Sequence, residues 1–245
     1  MHPLEQYFID YATGFFSTDA EIDCNIKLKL AHSLRVKDIA EELAALEKFT
    51  PEEAELGFYA ALFHDYSRFE QFTRYRTFAD MHSLDHGDFS ADLLKAHGVL
   101  NFLPAEKFAV VEQAIRRHNK ATLPAEYTKI DGLVRDADKL DIIPFLLQHL
   151  ANPVNSSVTL KMSNKPVISE AVLASVAART CAKYTDMHTV ADFVVSKIGW
   201  IYDLNFAASR KIFREKRYLN QIRSFLPPSP EVDDLIQQAE EYLQA

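Results

Sequence analysis

The sequence has little of what a disulfide-bonded, strand-rich or membrane-spanning protein requires. Its 245 residues include only 2 cysteines, Cys24 and Cys181, which cannot form a disulfide framework and suit a reducing cytosol. With 6 glycines, and 10 prolines that fall mostly between periodic segments, long helices are favoured over strands. No apolar run approaches the roughly 18 residues of a membrane span, and the amino terminus lacks the basic start of a signal peptide. We therefore expect a cytoplasmic protein that does not cross a membrane.

Acidic residues outnumber basic ones, with 35 Asp and Glu against 27 Lys and Arg. The net charge is −8, which argues against broad binding to nucleic acids or to anionic membranes, because both need a basic face. An anionic substrate would have to be attracted by a few local cations. The sequence thus argues against a general polyanion-binding protein and leaves open a small anionic substrate.

Hydrophobic periodicity predicts an all-α fold, because no alternating strand pattern is found. The clearest helix start is Thr50, with Pro51 in the first turn and Glu53 completing a capping box, in a helix that ends near His64. Residues 66–82 are predicted to be a structured loop or a short helix, and 151–166 a loop. The other helices are predicted over about 2–16, 25–48, 83–96, 104–118, 127–150 (with an interruption near Gly132 or Pro144), 169–180, 188–215 and 230–244.

The segment Ala60–Tyr75 carries the strongest chemical signal. An apolar run ends in the dipeptide His64–Asp65, and Arg68 follows three positions after the carboxylate. Imidazole beside carboxylate is a ligand combination for borderline divalent cations. Among 9 histidines one such pair also arises by chance, and the alternative to metal ligation is a buried His–carboxylate hydrogen-bond pair.

Other metal-type ligands stand at helix ends or on inward helix faces. His32 lies near the apolar face of its helix, and Asp138 adjoins an apolar face where an unpaired charge would be costly to bury. His86 and His118 come from two further segments. Ligands spread over five separate elements are typical of an ion held in the core of a helix bundle.

These motifs together resemble the HD-domain superfamily of metal-dependent phosphohydrolases, over about residues 25–145. The order His32, His64–Asp65, Asp138 is the one that carries the resemblance. The motifs read AHSLRV, ALFHDYSRFEQF, DHGDFSADLL, AIRRHN and RDADKLD.

The resemblance implies a helical bundle with two divalent ions. Asp65 would bridge both ions, and Asp138 is preferred as the last ligand over Asp136 and Asp141. His82 competes with His86, and a single-metal site in which His86 and His118 are only polar neighbours is the alternative. The implied ligands are His32, His64, Asp65, His86, His118 and Asp138, and the ions would be Mn, Fe, Co, Ni, Zn or Mg. One departure concerns the backbone after the HD pair, where many members have isoleucine and glycine and this chain has Tyr66 and Ser67.

The implied activity is hydrolysis of a small phosphate monoester or diester, nucleotides included, by metal-activated water. Asp65, Arg68 and Lys139 are the predicted catalytic residues, with Arg68 as the first phosphate contact, since its planar fork suits phosphate oxygens. Arg35 is a further candidate for that contact, and Asn119 and Asp85 are candidates for orienting imidazoles. The alternatives are a diiron oxygenase of the HD type and a non-catalytic metal- or nucleotide-binding sensor. Residues 1–245 are predicted to form one HD-type domain, with a core over about 25–150 and helices of 167–245 packed on it.

Overall fold

The computed structural model describes residues 1–152 and 162–244, which consist of helices and connecting loops. Within this part of the chain one isolated bridge joins Ser163 to Thr189 and no strand is formed. The predicted all-α fold is confirmed. Short 3₁₀ helices cover Asp80–His82, Tyr184–Asp186 and Trp200–Asp203. The α-helices are α1 Pro3–Thr13, α2 Ala20–Leu46, α3 Pro51–Phe63, α4 Arg68–Tyr75, α5 His86–Ala96, α6 Ala105–Arg117, α7 Lys129–Ala151, α8 Glu170–Ala177, α9 Val190–Gly199, α10 Ala207–Glu215, α11 Tyr218–Ser224 and α12 Pro230–Gln244.

Capping residues explain where the helices near the site begin. α3 starts with the predicted capping box of Thr50 and Glu53. α2 begins earlier than predicted, because the Asp19 side chain accepts hydrogen bonds from the first-turn amides of Glu21 and Ile22. α5 begins at His86 rather than at residue 83, because the Asp85 carboxylate caps the helix by accepting a hydrogen bond from the Asp88 amide. The segment 66–82 is predicted to be a structured loop or a short helix, and residues 68–75 of it form the helix α4.

Two helix predictions are wrong. α7 continues through Gly132 and Pro144 without interruption, since the proline removes a single amide donor and buried Ile143, Leu146 and Leu147 lie on either side of it. The helix predicted over 188–215 ends at Gly199, where backbone packing is so close that a Cβ would lie 2.7 Å from the Thr180 carbonyl oxygen.

After Gly199 the chain turns through the 3₁₀ helix Trp200–Asp203 and starts again as α10. Leu204 and Phe206 are extended, and the Arg210 guanidinium donates to the Leu204 carbonyl, which satisfies that acceptor outside a helix. α11 was not predicted. The loop predicted over 151–166 lies mostly outside the described residues.

The chain divides into two compact units, Met1–Asp141 and Ile142–Ala245. In the first, α3 is the central helix, and every residue from Leu56 to Phe63 is buried. It packs against α1, α2 and α6. Gly57 allows α7 to approach closely, because a Cβ there would lie 2.5 Å from the Leu133 side chain. A helix that is apolar on all sides is expected at the centre of a bundle.

In the second unit, α9 packs against α8, α11 and α12, and α12 also contacts α10. The buried Asp192 carboxylate fixes the start of α9 by accepting hydrogen bonds from the amides of Ser169, His188 and Thr189. That residues 1–245 form a single domain with helices 167–245 packed on the core stays a prediction. No helix among the described residues is both long and apolar enough to cross a bilayer.

Candidate metal centre

Six side chains from five elements of the first unit converge on one buried site. Two of the elements contribute through their carboxyl ends, one through its amino terminus and two through their middles. The contributors are His32 in α2, His64 at the end of α3 with Asp65 directly after it, His86 as the first residue of α5, His118 at the end of α6 and Asp138 in α7. All are buried except Asp138, whose side chain is 17% exposed. Asp138 therefore marks the side of the site nearest to solvent.

The donor atoms form two neighbouring groups. In the first, the Nε2 atoms of His32 and His64 are 3.3 Å apart, and Asp138 Oδ1 lies 3.1 Å from His32 Nε2 and 3.8 Å from His64 Nε2. In the second, the Nε2 atoms of His86 and His118 are 3.0 Å apart. The sets His32, His64, Asp138 and His64, Asp65, His118 each have spacings that suit a shared metal ion.

Asp65 lies between the two groups and turns one oxygen to each. Its Oδ2 is 3.5 Å from His32 Nε2 and 3.6 Å from His64 Nε2. Its Oδ1 is 3.5 Å from His86 Nε2 and 3.9 Å from His118 Nε2. A carboxylate in this position can bind two cations at once, one through each oxygen.

Main-chain carbonyls orient two of the four imidazoles. Nδ1 of His64 donates to the Ala61 carbonyl and Nδ1 of His118 to the Ile115 carbonyl, each at 2.7 Å. These acceptors are available because the last carbonyls of a helix have no intrahelical partner. A histidine placed directly after a helix is thereby turned with Nε2 away from its own helix.

Carboxylates orient the other two imidazoles. Nδ1 of His32 lies 2.7 Å from Asp141 Oδ2, and Nδ1 of His86 lies 2.5 Å from Asp80 Oδ2. Asn119, a predicted orienting residue, donates to the same Asp80 oxygen at 3.3 Å. Neither Asp80 nor Asp141 was predicted in this role.

These partners decide whether the site suits a metal ion. Each imidazole donates a hydrogen from Nδ1, which leaves the Nε2 lone pair of the neutral ring available to a cation. Lone pairs that face one another at 3.0–3.3 Å repel without a cation between them. Ligand atoms that share one ion at about 2.1 Å stand about 3.0–3.4 Å apart. The donor types and their spacing therefore fit divalent ions.

The electrostatics of three histidines favour the metal-binding form. Burial lowers the pKa of His64, His86 and His118, with the positive charge of Arg68 adding to the effect at His86. A lowered pKa keeps these imidazoles neutral near pH 7, which is the form that binds metals.

His32 differs because its ring lies between two carboxylates. Burial and the Lys29 ammonium lower its pKa, but hydrogen bonds to Asp138 and Asp141 outweigh them and raise it. The pKa of Asp65 is held well below its ordinary value by neighbouring cations, Lys29 first, although burial alone would raise it. The site therefore keeps Asp65 ionised, and the two carboxylates next to His32 favour a positive charge on its ring.

The family model of the HD domain matches residues 30–143, a range that includes all six converging side chains. Residues 30–143 are an HD domain. The HD superfamily consists generally of metal-dependent phosphohydrolases, and HD domains bind divalent metal ions. No curated protein and no solved structure matches the chain.

Of the three predicted catalytic residues of the HD domain, only Asp65 lies within the group of donors. Arg68 is buried, and its guanidinium donates to Asp65, Gln71, Asp80 and the Phe78 carbonyl. Lys139 is also buried, and its ammonium lies 3.5 Å from the Arg135 carbonyl one turn earlier in α7. The contacts of Arg68 are those of a residue that holds two carboxylates in place.

Two cations at the rim of the HD domain site have clear partners. Lys29, which sequence reasoning missed, places its ammonium 2.7 Å from Asp65 Oδ2. Lys29 lies three residues before His32, so both side chains are on one face of α2. This spacing is the sequence signal by which Lys29 could have been predicted. Arg35, a predicted phosphate contact, binds Asp141 instead, through Nε at 2.6 Å and Nη2 at 3.0 Å.

Tyr66 and Ser67, which replace the isoleucine and glycine that many family members have after the HD pair, do not distort the backbone. Ser67 has φ −78° and ψ −13°, a right-handed helical conformation that needs no glycine. Its hydroxyl donates to the His86 carbonyl at 3.0 Å and so ties the turn after α3 to α5. His82, the competitor of His86, is exposed.

Proposed function

We propose that this protein is a metal-dependent phosphohydrolase that cleaves a small phosphate monoester or diester, nucleotides included. The observation that carries the proposal is the position of Asp65, whose two oxygens face two separate pairs of imidazole Nε2 atoms. This arrangement suits two divalent ions bridged by one carboxylate, which is the ligand set expected of a binuclear hydrolase.

The proposed ligands are the six converging side chains, and the ions are drawn from Mn, Fe, Co, Ni, Zn and Mg. Mixed nitrogen and oxygen donors accept most of these, so availability would decide which is bound. When bound, such ions would neutralise charge on phosphoryl oxygens and lower the pKa of a water molecule for attack on phosphorus. The protein acts by holding Asp65 ionised and by orienting four imidazoles, of which His64, His86 and His118 are kept neutral by burial.

We propose Lys29 as the first contact for a phosphoryl oxygen. Its side chain is 14% exposed, and its ammonium already lies at the Asp65 oxygen that faces His32 and His64. An ammonium at this position attracts an anion in a chain that is otherwise acidic. Lys139 remains a proposed catalytic residue, whereas Arg68 is proposed as a positioning residue that acts through Asp65 and Asp80, the two carboxylates that it holds.

The direct test is elemental analysis followed by an activity screen. We expect purified protein to contain about two divalent ions per chain, and each candidate ion is then restored to chelator-treated protein with a panel of phosphate monoesters, diesters and nucleotides. Protein without bound metal would contradict the metal centre. Iron in a mixed-valent state by electron paramagnetic resonance, without phosphoesterase activity, would favour the oxygenase, and metal without any turnover would favour the sensor.

A bridging role for Asp65 makes a specific prediction. In Asp65→Asn the side chain keeps its shape but has one acceptor oxygen, so it cannot serve both histidine pairs. We expect loss of at least one ion per chain by elemental analysis and loss of phosphoesterase activity, with the far-ultraviolet circular dichroism spectrum unchanged. Asp88→Asn is the control, because the Asp88 carboxylate lies on α5 but pairs with Lys120 and Arg116. Full activity in Asp65→Asn would contradict the mechanism.

A further inference from the structure

The two facing histidine pairs are built alike. Each contains one imidazole held by a carbonyl of its own helix end, His64 in the first pair and His118 in the second. In each pair the other imidazole, His32 or His86, is held by a carboxylate. Only the carboxylate-held member of each pair has an orienting group that a substitution can remove.

An arginine fixes each of these carboxylates in turn. Arg35 binds both oxygens of Asp141, at 2.6 and 3.0 Å, and Arg68 donates to Asp80 at 3.2 Å. Asp80 also accepts from the Gln71 amide at 3.1 Å. A carboxylate held on both sides has little freedom to turn away from its imidazole.

The two carboxylates act on different histidines. Within the part of the chain that the structure describes, Asp141 contacts one of the six converging side chains, His32. Asp80 likewise contacts one of the six, His86. Asp141 lies in α7, whereas Asp80 lies in the 3₁₀ helix before α5. The orienting carboxylates of the two histidine pairs therefore lie on separate structural elements.

We propose that Asp141 and Asp80 are positioning residues that set the two halves of the metal centre independently, Asp141 for the ion at His32 and His64, Asp80 for the ion at His86 and His118. The inference rests on the proposed binuclear centre and adds that each ion has its own orienting carboxylate. Removing an orienting partner of a metal-bound imidazole weakens metal affinity about 10- to 100-fold.

The test is a titration of metal-free protein with Co²⁺, followed by calorimetry for affinity and by visible absorption for the coordination of each ion. We expect Asp80→Ala and Asp141→Ala each to weaken one of two binding events about 10- to 100-fold and to leave the other unchanged. Asp80→Asn and Asp141→Asn keep an oxygen acceptor for Nδ1 and should restore part of the loss. A role limited to folding would predict no such rescue at equal thermal stability.

A second substitution identifies which ion each carboxylate serves. In a His118→Gln background only the ion at His32 and His64 should bind tightly, so adding Asp141→Ala should weaken it while adding Asp80→Ala should not. Asp88→Ala is the control for loss of a neighbouring carboxylate that has no described contact with an imidazole, and it should leave both ions in place. Thermal melting checks that each variant is folded.

The outcomes separate this inference from the proposed function. Wild-type protein that binds no Co²⁺ overturns the metal centre and the inference with it. If the wild type binds two ions but both single variants weaken both ions equally, or neither, the metal centre stands and the inference is overturned. Binding of a single ion by the wild type also overturns the inference.

Discussion

Lys29 is the residue whose role in the proposed reaction is easiest to isolate. It is not one of the six converging side chains, yet its ammonium contacts Asp65 Oδ2 at 2.7 Å and lies over the Phe78 ring. A cation here can bind an anionic substrate without taking part in metal ligation.

We expect Lys29→Ala to lower kcat/KM for phosphoesters about 10- to 100-fold, because one charge-assisted hydrogen bond is lost. Metal content should stay the same, and Lys29→Arg should restore most of the activity. Lys27→Ala is a matched control on the same helix, since Lys27 is exposed and pairs with Asp23. The measurement is steady-state kinetics with the best substrate of the panel; an unchanged kcat/KM would contradict a substrate contact.

Individual residues also show where sequence reasoning reached its limit. His32, His64, Asp65 and Asp138 stood out because their motifs and burial could be inferred along the chain. Asp80 lies in a stretch without helical periodicity, and nothing in the sequence joins it to His86. Arg68 was expected to face a substrate, and its buried contacts depend on Asp80 and Gln71, which are placed by the turns around α4.

Among the elements, α5 and α6 depend on their close approach at Gly87. A Cβ at this position would lie 2.7 Å from Asn119 Oδ1 and 3.0 Å from the Ile115 carbonyl oxygen. That carbonyl also orients His118, and His86 precedes Gly87 directly. The absence of a side chain at Gly87 therefore allows α5 and α6 to approach closely enough to bring His86 and His118 together.

We expect Gly87→Ala to reduce the free energy of unfolding by about 1–3 kcal/mol, since the methyl group must displace the Asn119 side chain and shift the Ile115 backbone. The same displacement should weaken Co²⁺ binding at His86 and His118. Gly14→Ala is the control, because Gly14 has φ −60° and its nearest Cβ contact would be 3.2 Å. Urea denaturation measures the stability change; equal stabilities of both variants would contradict the packing argument.

Helix prediction succeeded where the ends carry local signals and failed where packing decides. The capping box of Thr50 and Glu53 marks the start of α3 without help from the rest of the fold. The break after Gly199 has no such signal, because it follows from the approach of the Thr180 backbone. Pro144 led to the opposite error: its presence predicts an interruption of the helix, but α7 continues through it.

For the molecule as a whole, the metal centre links five elements that are far apart in the sequence. All six converging side chains belong to the unit Met1–Asp141. Ions bound only by the folded chain should therefore stabilise this unit, and at 100 times the dissociation constant the gain is about 2.7 kcal/mol for one site.

We expect chelation to lower the Tm and added Co²⁺ to raise it again, as measured by thermal melting at constant ionic strength. Hydrogen exchange should show the largest gain of protection on Co²⁺ binding in α2, α3, α5, α6 and the part of α7 around Asp138. Asp65→Asn should lose most of the Tm response. An equal response in that variant would mean that the stabilising ions bind elsewhere.

The sequence by itself determined the helical class and the types of donor atom, because periodicity, caps and short motifs are local properties of a chain. Only the tertiary structure decided how those donors are oriented: which oxygen of Asp65 faces which histidines, and that Asp80 and Asp141 hold His86 and His32. The physical reason is that hydrogen bonding depends on distance in space, and His32 meets Asp141 across 109 positions of sequence.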